Sequence, residues 1–196
     1  MNKESLMSVK KRRIVIKVGT SSLTNELGNS NLRSFEKLAQ VLSDVHNLGN
    51  EIVLVSSGAI AVGANKMHLD GKPTELRMKQ AAAAVGQTEL MHLYDKFFGE
   101  YGRMVGQILL DNADFSDPVR SENLKNTFDA LLENHIIPIV NVFWTMSDTI
   151  LSLEDVIANA YLPQFYVPAV YEKNKSIRKM YRLSIITRKE KAIPRN

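Results

Sequence analysis

The sequence predicts an α/β fold in which helices cover a parallel sheet. First, four short runs of β-branched and aliphatic residues alternate with longer segments whose apolar residues recur at helical spacing. Second, helical segments separate consecutive strands, an order that gives parallel pairing through right-handed crossovers. Third, this alternation stops near residue 141, where the character of the sequence changes.

The individual elements are predicted from continuous apolar runs for strands and from three- or four-residue apolar repeats for helices. Gly49 ends the first long helix, and Pro138 favours a position near the edge or the end of its strand. Four alanines at 81–84 form a small-residue patch against which another element is expected to pack closely. The predicted elements are a strand at 13–18, a helix at 31–48, a strand at 51–55, helices at 57–67 and 74–98, a strand at 104–110, a helix at 122–133 and a strand at 136–140.

The composition is that of one ordinary globular domain. The 196 residues are 44% hydrophobic and 23% charged. They include no cysteine, which excludes disulfides and thiolate metal sites within this sequence. No run approaches 18 apolar residues, and the basic start has no apolar segment behind it, so neither a membrane span nor a signal peptide is predicted. The expected location is the cytoplasm.

The net charge of +4 belongs to the C-terminal segment. Residues 1–140 contain 16 Lys+Arg and 16 Asp+Glu, whereas residues 141–196 contain 9 and 5. The main body therefore gives no reason to predict nucleic-acid binding. For the basic segment, a solvated end is favoured over contact with RNA.

The end of the first strand carries residues suited to bind an anion. Lys17 lies within the strand, where lysine is rare, and Gly19, Thr20 and Ser21 follow it. Glycine lets the backbone approach a phosphate, and lysine neutralises its charge. The segment differs from the G-x-x-x-x-G-K-[ST] loop, because its lysine precedes the glycine. The alternative is an ordinary turn beside an exposed lysine.

A second loop with the same character follows the second strand. Ser57, Gly58 and Ala59 come directly after an apolar run, although Ser and Gly are also common at ordinary helix N-caps. Because the carboxyl ends of parallel strands meet at one rim, both loops are expected there together. Two anion-binding loops and Lys17 indicate a site for phosphoryl transfer.

No metal site is predicted from the acidic and histidine residues. Asp111, Asp114 and Asp117 follow the third strand, but their spacing fits no recognised metal loop, so a solvated turn is favoured. The histidines are scattered along the chain without a ligand spacing; they are His46, His68, His92 and His135.

Four segments together resemble the glutamate 5-kinases of the amino-acid kinase family. They are IVIKVGTSSLT, EIVLVSSGAIAVG, AAAAVGQTELMHLYDKFFGEYG and NTFDALLENHIIPIVN. The resemblance covers roughly residues 10–141 and implies an αβα sandwich that phosphorylates the γ-carboxylate of L-glutamate with ATP and Mg²⁺, the first step of proline biosynthesis. It also implies proline as a feedback inhibitor and a homo-oligomeric assembly.

The resemblance assigns roles to matching residues of this sequence. Lys17 matches the lysine that stabilises the transferring phosphoryl group. It implies ATP binding by Lys17, Gly19, Thr20 and Ser21, and glutamate binding by Ser57, Gly58, Ala59 and Asn141.

The match to the family's pattern changes after Asn141, so the resemblance implies a sandwich whose C-terminal half is incomplete. The family continues with Glu-Asn-Asp, whereas this chain continues with Val142, Phe143 and Trp144. Asp148 is the candidate for the aspartate that organises catalysis. The predicted organisation is a basic extension at 1–12, a glutamate-side region at 13–141 and a divergent or truncated region at 142–196, without an additional RNA-binding-type domain. The alternative function is a catalytically impaired remnant that keeps only binding or self-association.

Overall fold

A computed structural model of the protein describes residues 13–25, 29–110 and 113–142. The predicted α/β class is confirmed within these ranges, since strands and helices alternate along the chain. The elements are β1 (Arg13–Val18), α1 (Thr20–Leu23), α2 (Leu32–Asn47), β2 (Glu51–Ser56), α3 (Ala59–Lys66), α4 (Leu76–Gly99), β3 (Val105–Leu110), α5 (Ala113–Ser116), α6 (Pro118–Glu133) and β4 (Ile137–Val142).

The four strands form one parallel sheet in the order β1-β2-β4-β3. The register pairs Val18 with Ser56, and Ser56 with Asn141. These three residues therefore lie side by side at the carboxyl ends of their strands. The register alone brings the β1 loop, the β2 loop and Asn141 to one rim of the sheet.

Apolar side chains cover both faces of the sheet. On one face, Ile16 and Leu54 belong to a cluster with Phe35 of α2 and with Leu90 and Phe98 of α4. Alternate residues of a strand point to opposite faces of the sheet. The strand residues next to Ile16 and Leu54 in sequence therefore point to the other face, where a second cluster forms. That cluster joins β2, β3 and β4 to α6 and contains Val53, Val55, Ile108, Leu110, Val140, Phe128 and Leu132. The result is a sheet between two helical layers.

Side-chain caps explain two shifted helix starts. Asn31 accepts a hydrogen bond from the Ser34 N–H at 3.3 Å and caps α2, which begins one residue later than predicted. Asp117 accepts from the N–H groups of Val119 at 2.8 Å and Arg120 at 3.1 Å. It caps α6, which begins at Pro118 rather than at residue 122. Asp117 is exposed between α5 and α6, as expected of a solvated turn, and its carboxylate additionally caps a helix.

Pro138 occupies the strand-end position that its chemistry favours. It is the second residue of β4 and pairs with Gly106 of β3. The pairing of β4 with β2 begins only at the next residue, Ile139. At Pro138, β4 pairs with β3 but not yet with β2. The missing N–H of the proline therefore interrupts no hydrogen bond between β4 and β2.

Several expectations concern residues outside the described ranges, namely the basic extension at 1–12, Asp148 and the region from 143 to 196. Among the helices that the structure describes, none combines the length and the apolar character needed to cross a membrane.

Candidate active site at the carboxyl ends of the strands

The loops after β1 and β2 contact each other at the rim of the sheet. The N–H and the Oγ of Ser57 both approach the Val18 carbonyl oxygen at 3.3 Å. Gly58 has a φ of 112°, and a Cβ there would lie 3.0 Å from Thr20 Oγ1. A side chain at Gly58 would be strained and crowded, so glycine permits this junction. The two loops share one rim, as the sequence predicted.

A cavity of about 980 Å³ opens beside this rim. Its walls come from the ends of the strands, the start of α3 and the side of α4. Three lysines line it, Lys17, Lys72 and Lys79, and the described lining residues include no aspartate or glutamate. This charge balance favours an anionic ligand, because the walls supply positive charge without a competing carboxylate.

Backbone groups at the start of α3 add to the donors of this cavity. The hydrogen bond from the Val62 N–H to the Gly58 carbonyl oxygen, at 3.0 Å, is the first hydrogen bond of the α3 repeat. Ala59, Ile60 and Ala61 precede Val62 and line the cavity. The N–H groups of a first helical turn have no acceptor within their own helix, and such groups bind carboxylates and phosphates.

Asn141 places an unused acceptor within the same cavity. Its side chain is only 4% exposed, and Nδ2 donates to the Ser56 carbonyl oxygen at 3.3 Å. Within the described part of the chain, its Oδ1 atom is enclosed and has no hydrogen-bond partner. A buried acceptor without a donor is unfavourable, so this atom is suited to receive a donor from a ligand.

A buried hydrogen bond to Tyr94 fixes Ser56, the residue to which Asn141 is bonded. Ser56 Oγ and the Tyr94 hydroxyl lie 2.8 Å apart, and both residues are buried. Burial raises the pKa of Tyr94 well above its usual range, although its hydrogen bond to Ser56 acts in the opposite direction. The phenol therefore stays neutral, and Ser56 is held between Tyr94 and Asn141.

Two glycines bring α3 and α4 into close contact. A Cβ at Gly63 would lie 1.7 Å from the Ala82 carbonyl oxygen, and one at Gly86 would lie 1.8 Å from the Ala59 carbonyl oxygen. The patch at 81–84 therefore packs closely against another element, as predicted. This contact forms one wall of the cavity and sets α4 beside the first turn of α3.

The structure brings most, but not all, of the sequence-predicted site residues together. Lining the cavity are Lys17, Thr20, Ser57, Gly58, Ala59 and Asn141. Gly19 is outside this lining, and a Cβ there would meet nothing within 4 Å. Ser21 is exposed and lies on an adjoining hollow of about 560 Å³, which shares Thr20 and Lys72 with the cavity.

Sequence reasoning missed the residues that α4 and its preceding loop contribute. Lys79 and Gln87 both line the cavity, with Ala83 between them. Their i, i+4, i+8 spacing on a predicted helix places all three on one face, so this pattern could have revealed them. Lys72 precedes the helix in an irregular segment, where no periodicity marks it.

The aspartates after β3 that the structure describes have structural roles. Asp114 forms an ion pair with Arg120 at 2.7 Å, and Asp117 caps α6. Within residues 13–25, 29–110 and 113–142, no group of three or more His, Asp or Glu side chains is arranged to hold a metal. The ammonium and amide donors of the cavity suit an anion and do not themselves form a Mg²⁺ site.

Comparison with known proteins identifies the family. The model of the "Amino acid kinase family" matches residues 12–158. The chain belongs to this family. It is 57% identical over 141 residues to the glutamate 5-kinase of Listeria innocua, an alignment that covers 71% of this chain and 50% of that protein. The resemblance predicted from the sequence is thereby confirmed.

Other relatives give the same result. The chain is 57% identical over 130 residues to the glutamate 5-kinase of Clostridium perfringens, covering 66% of this chain and 48% of that protein. It spans about half the length of the curated relatives that it matches. Among solved structures, the T. acidophilum isopentenyl phosphate kinase product complex matches with 13% identity and a TM-score of 0.46, over 69% of this chain and 58% of that one.

Proposed function

We propose that this chain catalyses the ATP-dependent phosphorylation of the γ-carboxylate of L-glutamate. The product is L-glutamyl 5-phosphate, in the first step of proline biosynthesis. The observation that carries the proposal is the cavity at the sheet rim, lined by three lysines and by the buried, unpartnered Asn141 Oδ1 atom. The curated relatives named glutamate 5-kinase support this choice of substrate.

The polar groups of L-glutamate complement those of the cavity. The substrate carries two carboxylates, which accept hydrogen bonds, and one ammonium group, which donates them. The lysines and the first turn of α3 supply cationic and N–H donors for the carboxylates. Asn141 Oδ1 supplies an acceptor for the ammonium group.

Phosphoryl transfer then needs positioning and charge neutralisation rather than acid–base chemistry. The γ-carboxylate is already ionised at neutral pH, so its oxygen attacks the terminal phosphorus of ATP without losing a proton. A new carboxyl-oxygen–phosphorus bond forms, the bond from that phosphorus to the bridging oxygen breaks, and ADP leaves with the electron pair. Lys17 neutralises charge on the transferring group, and Thr20 lines the same cavity.

A coupled assay of ADP release tests these roles. With L-glutamate and ATP–Mg²⁺, the Lys17→Ala variant should lose about 10²- to 10³-fold in kcat, because an electrostatic stabiliser is removed. The glutamate affinity of this variant, measured by calorimetry, should change far less. Ser57→Ala should mainly raise the KM for glutamate. The matched control is Lys37→Ala, whose exposed ammonium group bonds only to Gln40 in the described chain.

The turnover of Lys17→Ala tests the role of Lys17, and ADP release by the wild-type protein tests the kinase activity itself. Equal turnover by the wild-type protein and Lys17→Ala would contradict the role given to Lys17. Binding of glutamate without glutamate-dependent ADP release would contradict the kinase and favour the second candidate described next.

The second candidate is a protein that keeps the binding site and self-associates without catalysis. In the described sheet, β3 is an edge strand, and Met104 directly before it is 62% exposed. An unpaired strand with exposed apolar residues favours association with another chain. Sedimentation at several concentrations tests this proposal and the expected homo-oligomer. Calorimetry with L-proline in place of glutamate tests the expected inhibitor.

A further inference from the structure

We infer that Gln87 binds the α-carboxylate of the substrate, the carboxylate that does not receive the phosphoryl group, through its side-chain amide. The inference rests on the proposed function, since it assigns a contact within the same cavity. It also gives a role to Gln87 in the segment AAAAVGQTELMHLYDKFFGEYG, none of whose residues received a site role from the family resemblance.

The backbone of Gln87 is held in place by the close packing of α4 against α3. Gln87 lies on α4 and lines the cavity. Its neighbour Gly86 packs directly against the Ala59 carbonyl oxygen, so the backbone at this point has little freedom to move. The side chain therefore starts from a fixed position beside the first turn of α3.

The side-chain donor of Gln87 is unused in the described part of the chain. Its Nε2 atom is enclosed and has no hydrogen-bond partner there. An enclosed amide donor is unfavourable without an acceptor. The described lining of the cavity includes no carboxylate that could accept from it. A carboxylate oxygen of the ligand supplies the missing acceptor.

One donor and one acceptor without partners among the described residues, Gln87 Nε2 and Asn141 Oδ1, match the α-carboxylate and the α-ammonium group of the substrate. Of the enclosed polar atoms without a partner in the described chain, two belong to the cavity lining, the donor Gln87 Nε2 and the acceptor Asn141 Oδ1. An α-amino acid presents the opposite pair on one carbon atom, a carboxylate and an ammonium group. Asn141 takes the ammonium group, and Gln87 takes the carboxylate beside it.

The position of Lys17 leaves the other carboxylate for transfer. Lys17 lies in β1, whereas Gln87 lies on α4, which forms a different wall. A neutral amide binds the α-carboxylate without adding another cation that would compete with Lys17 for the reacting carboxylate.

Calorimetric titration of the whole protein with L-glutamate tests the inference. Gln87→Met keeps the length of the side chain and removes the amide, so the affinity for L-glutamate should fall about tenfold or more. Gln87→Glu should bind still more weakly, because a carboxylate would face a carboxylate. Gln40→Met is the control, since Gln40 lies on α2 outside the cavity. Thermal melting of each variant checks that it folds.

A second ligand, which lacks the α-carboxylate, tests whether Gln87 binds that carboxylate rather than the γ-carboxylate. 4-Aminobutyrate is glutamate without its α-carboxylate, and its affinity is measured by displacement of L-glutamate. Gln87→Met should reduce the preference for L-glutamate over 4-aminobutyrate by about the factor lost in L-glutamate affinity. An unchanged preference would overturn the inference.

Three further outcomes would also count against it. Equal glutamate affinity in the wild-type protein and Gln87→Met would overturn the contact while leaving the proposed function intact. Stronger binding by Gln87→Glu than by Gln87→Met would show that the side chain accepts from the ammonium group instead. A wild-type protein that does not bind L-glutamate would overturn both the proposed function and this inference.

Discussion

The carbonyl oxygen of Ala59 lies so close to Gly86 that a Cβ atom on Gly86 would be 1.8 Å from it. Ala59 is the first residue of α3, and it lines the candidate site. Gly86 belongs to α4, whose next residue is Gln87. A single contact between two helices therefore positions two walls of the site, and the packing of the fold sets the geometry of binding.

Replacing Gly86 by alanine should destabilise the protein and weaken binding. The new methyl group meets backbone atoms that cannot rotate away, so α3 and α4 must separate. We expect the free energy of unfolding in urea to fall by about 1–3 kcal/mol or more. Gly99→Ala is the control on the same helix, since a Cβ there meets nothing within 4 Å. Equal losses in the two variants would contradict this explanation of the contact.

The hydrogen bond between Tyr94 and Ser56 should show coupling in a double-mutant cycle. Tyr94→Phe or Ser56→Ala alone leaves a buried hydroxyl without its partner, and each should cost about 1–3 kcal/mol of unfolding free energy. The double variant should lose less than the sum of the two, because neither hydroxyl remains. Tyr101→Phe serves as the control, with an expected change within about 0.5 kcal/mol. Additive losses in the cycle would indicate that the two hydroxyls do not interact.

The buried phenol should also make stability depend on pH in alkaline solution. Burial raises the pKa of Tyr94 in the folded state above its ordinary value of 10.0. The unfolded chain therefore loses this proton first, and the contribution of Tyr94 to stability is present below pH 10.0 and lost as pH rises above it. The slope should approach about 1.4 kcal/mol per pH unit.

Unfolding free energies measured from pH 8 to pH 11 in the wild-type protein and Tyr94→Phe test this dependence. Lysines and other tyrosines titrate in both proteins, so the difference between the two curves isolates Tyr94. The wild-type curve should fall more steeply above pH 10.0. Parallel curves would mean that the folded state does not hold the Tyr94 proton more tightly than the unfolded chain.

Local patterns in the sequence were sufficient to predict the strands, the long helices and the rim. Apolar runs that end in Gly and Ser mark the ends of β1 and β2, and parallel pairing brings Lys17, Ser57 and Gly58 together. These predictions depend on residues that are neighbours in the chain, or on a rule that holds for parallel sheets generally.

The remaining features depend on long-range packing or on very short elements. The helices α1 and α5 have four residues each, too few to show a helical repeat. The strand order β1-β2-β4-β3 reflects pairings between distant segments. Helical spacing places Gln87 on the same face of α4 as Lys79, but nothing in its local sequence shows that its Nε2 atom lacks a hydrogen-bond partner within the described chain.

The most direct test of the central claim is an amide NMR spectrum of the protein titrated with L-glutamate. Binding at the rim should shift the N–H signals of Ser57, Gly58, Ala59 and Asn141. Gly49 and Gly102 precede β2 and β3, at the opposite end of the parallel sheet, and their signals should stay unchanged. No shift at the rim at saturating glutamate, or larger shifts at Gly49 and Gly102, would contradict the proposed site.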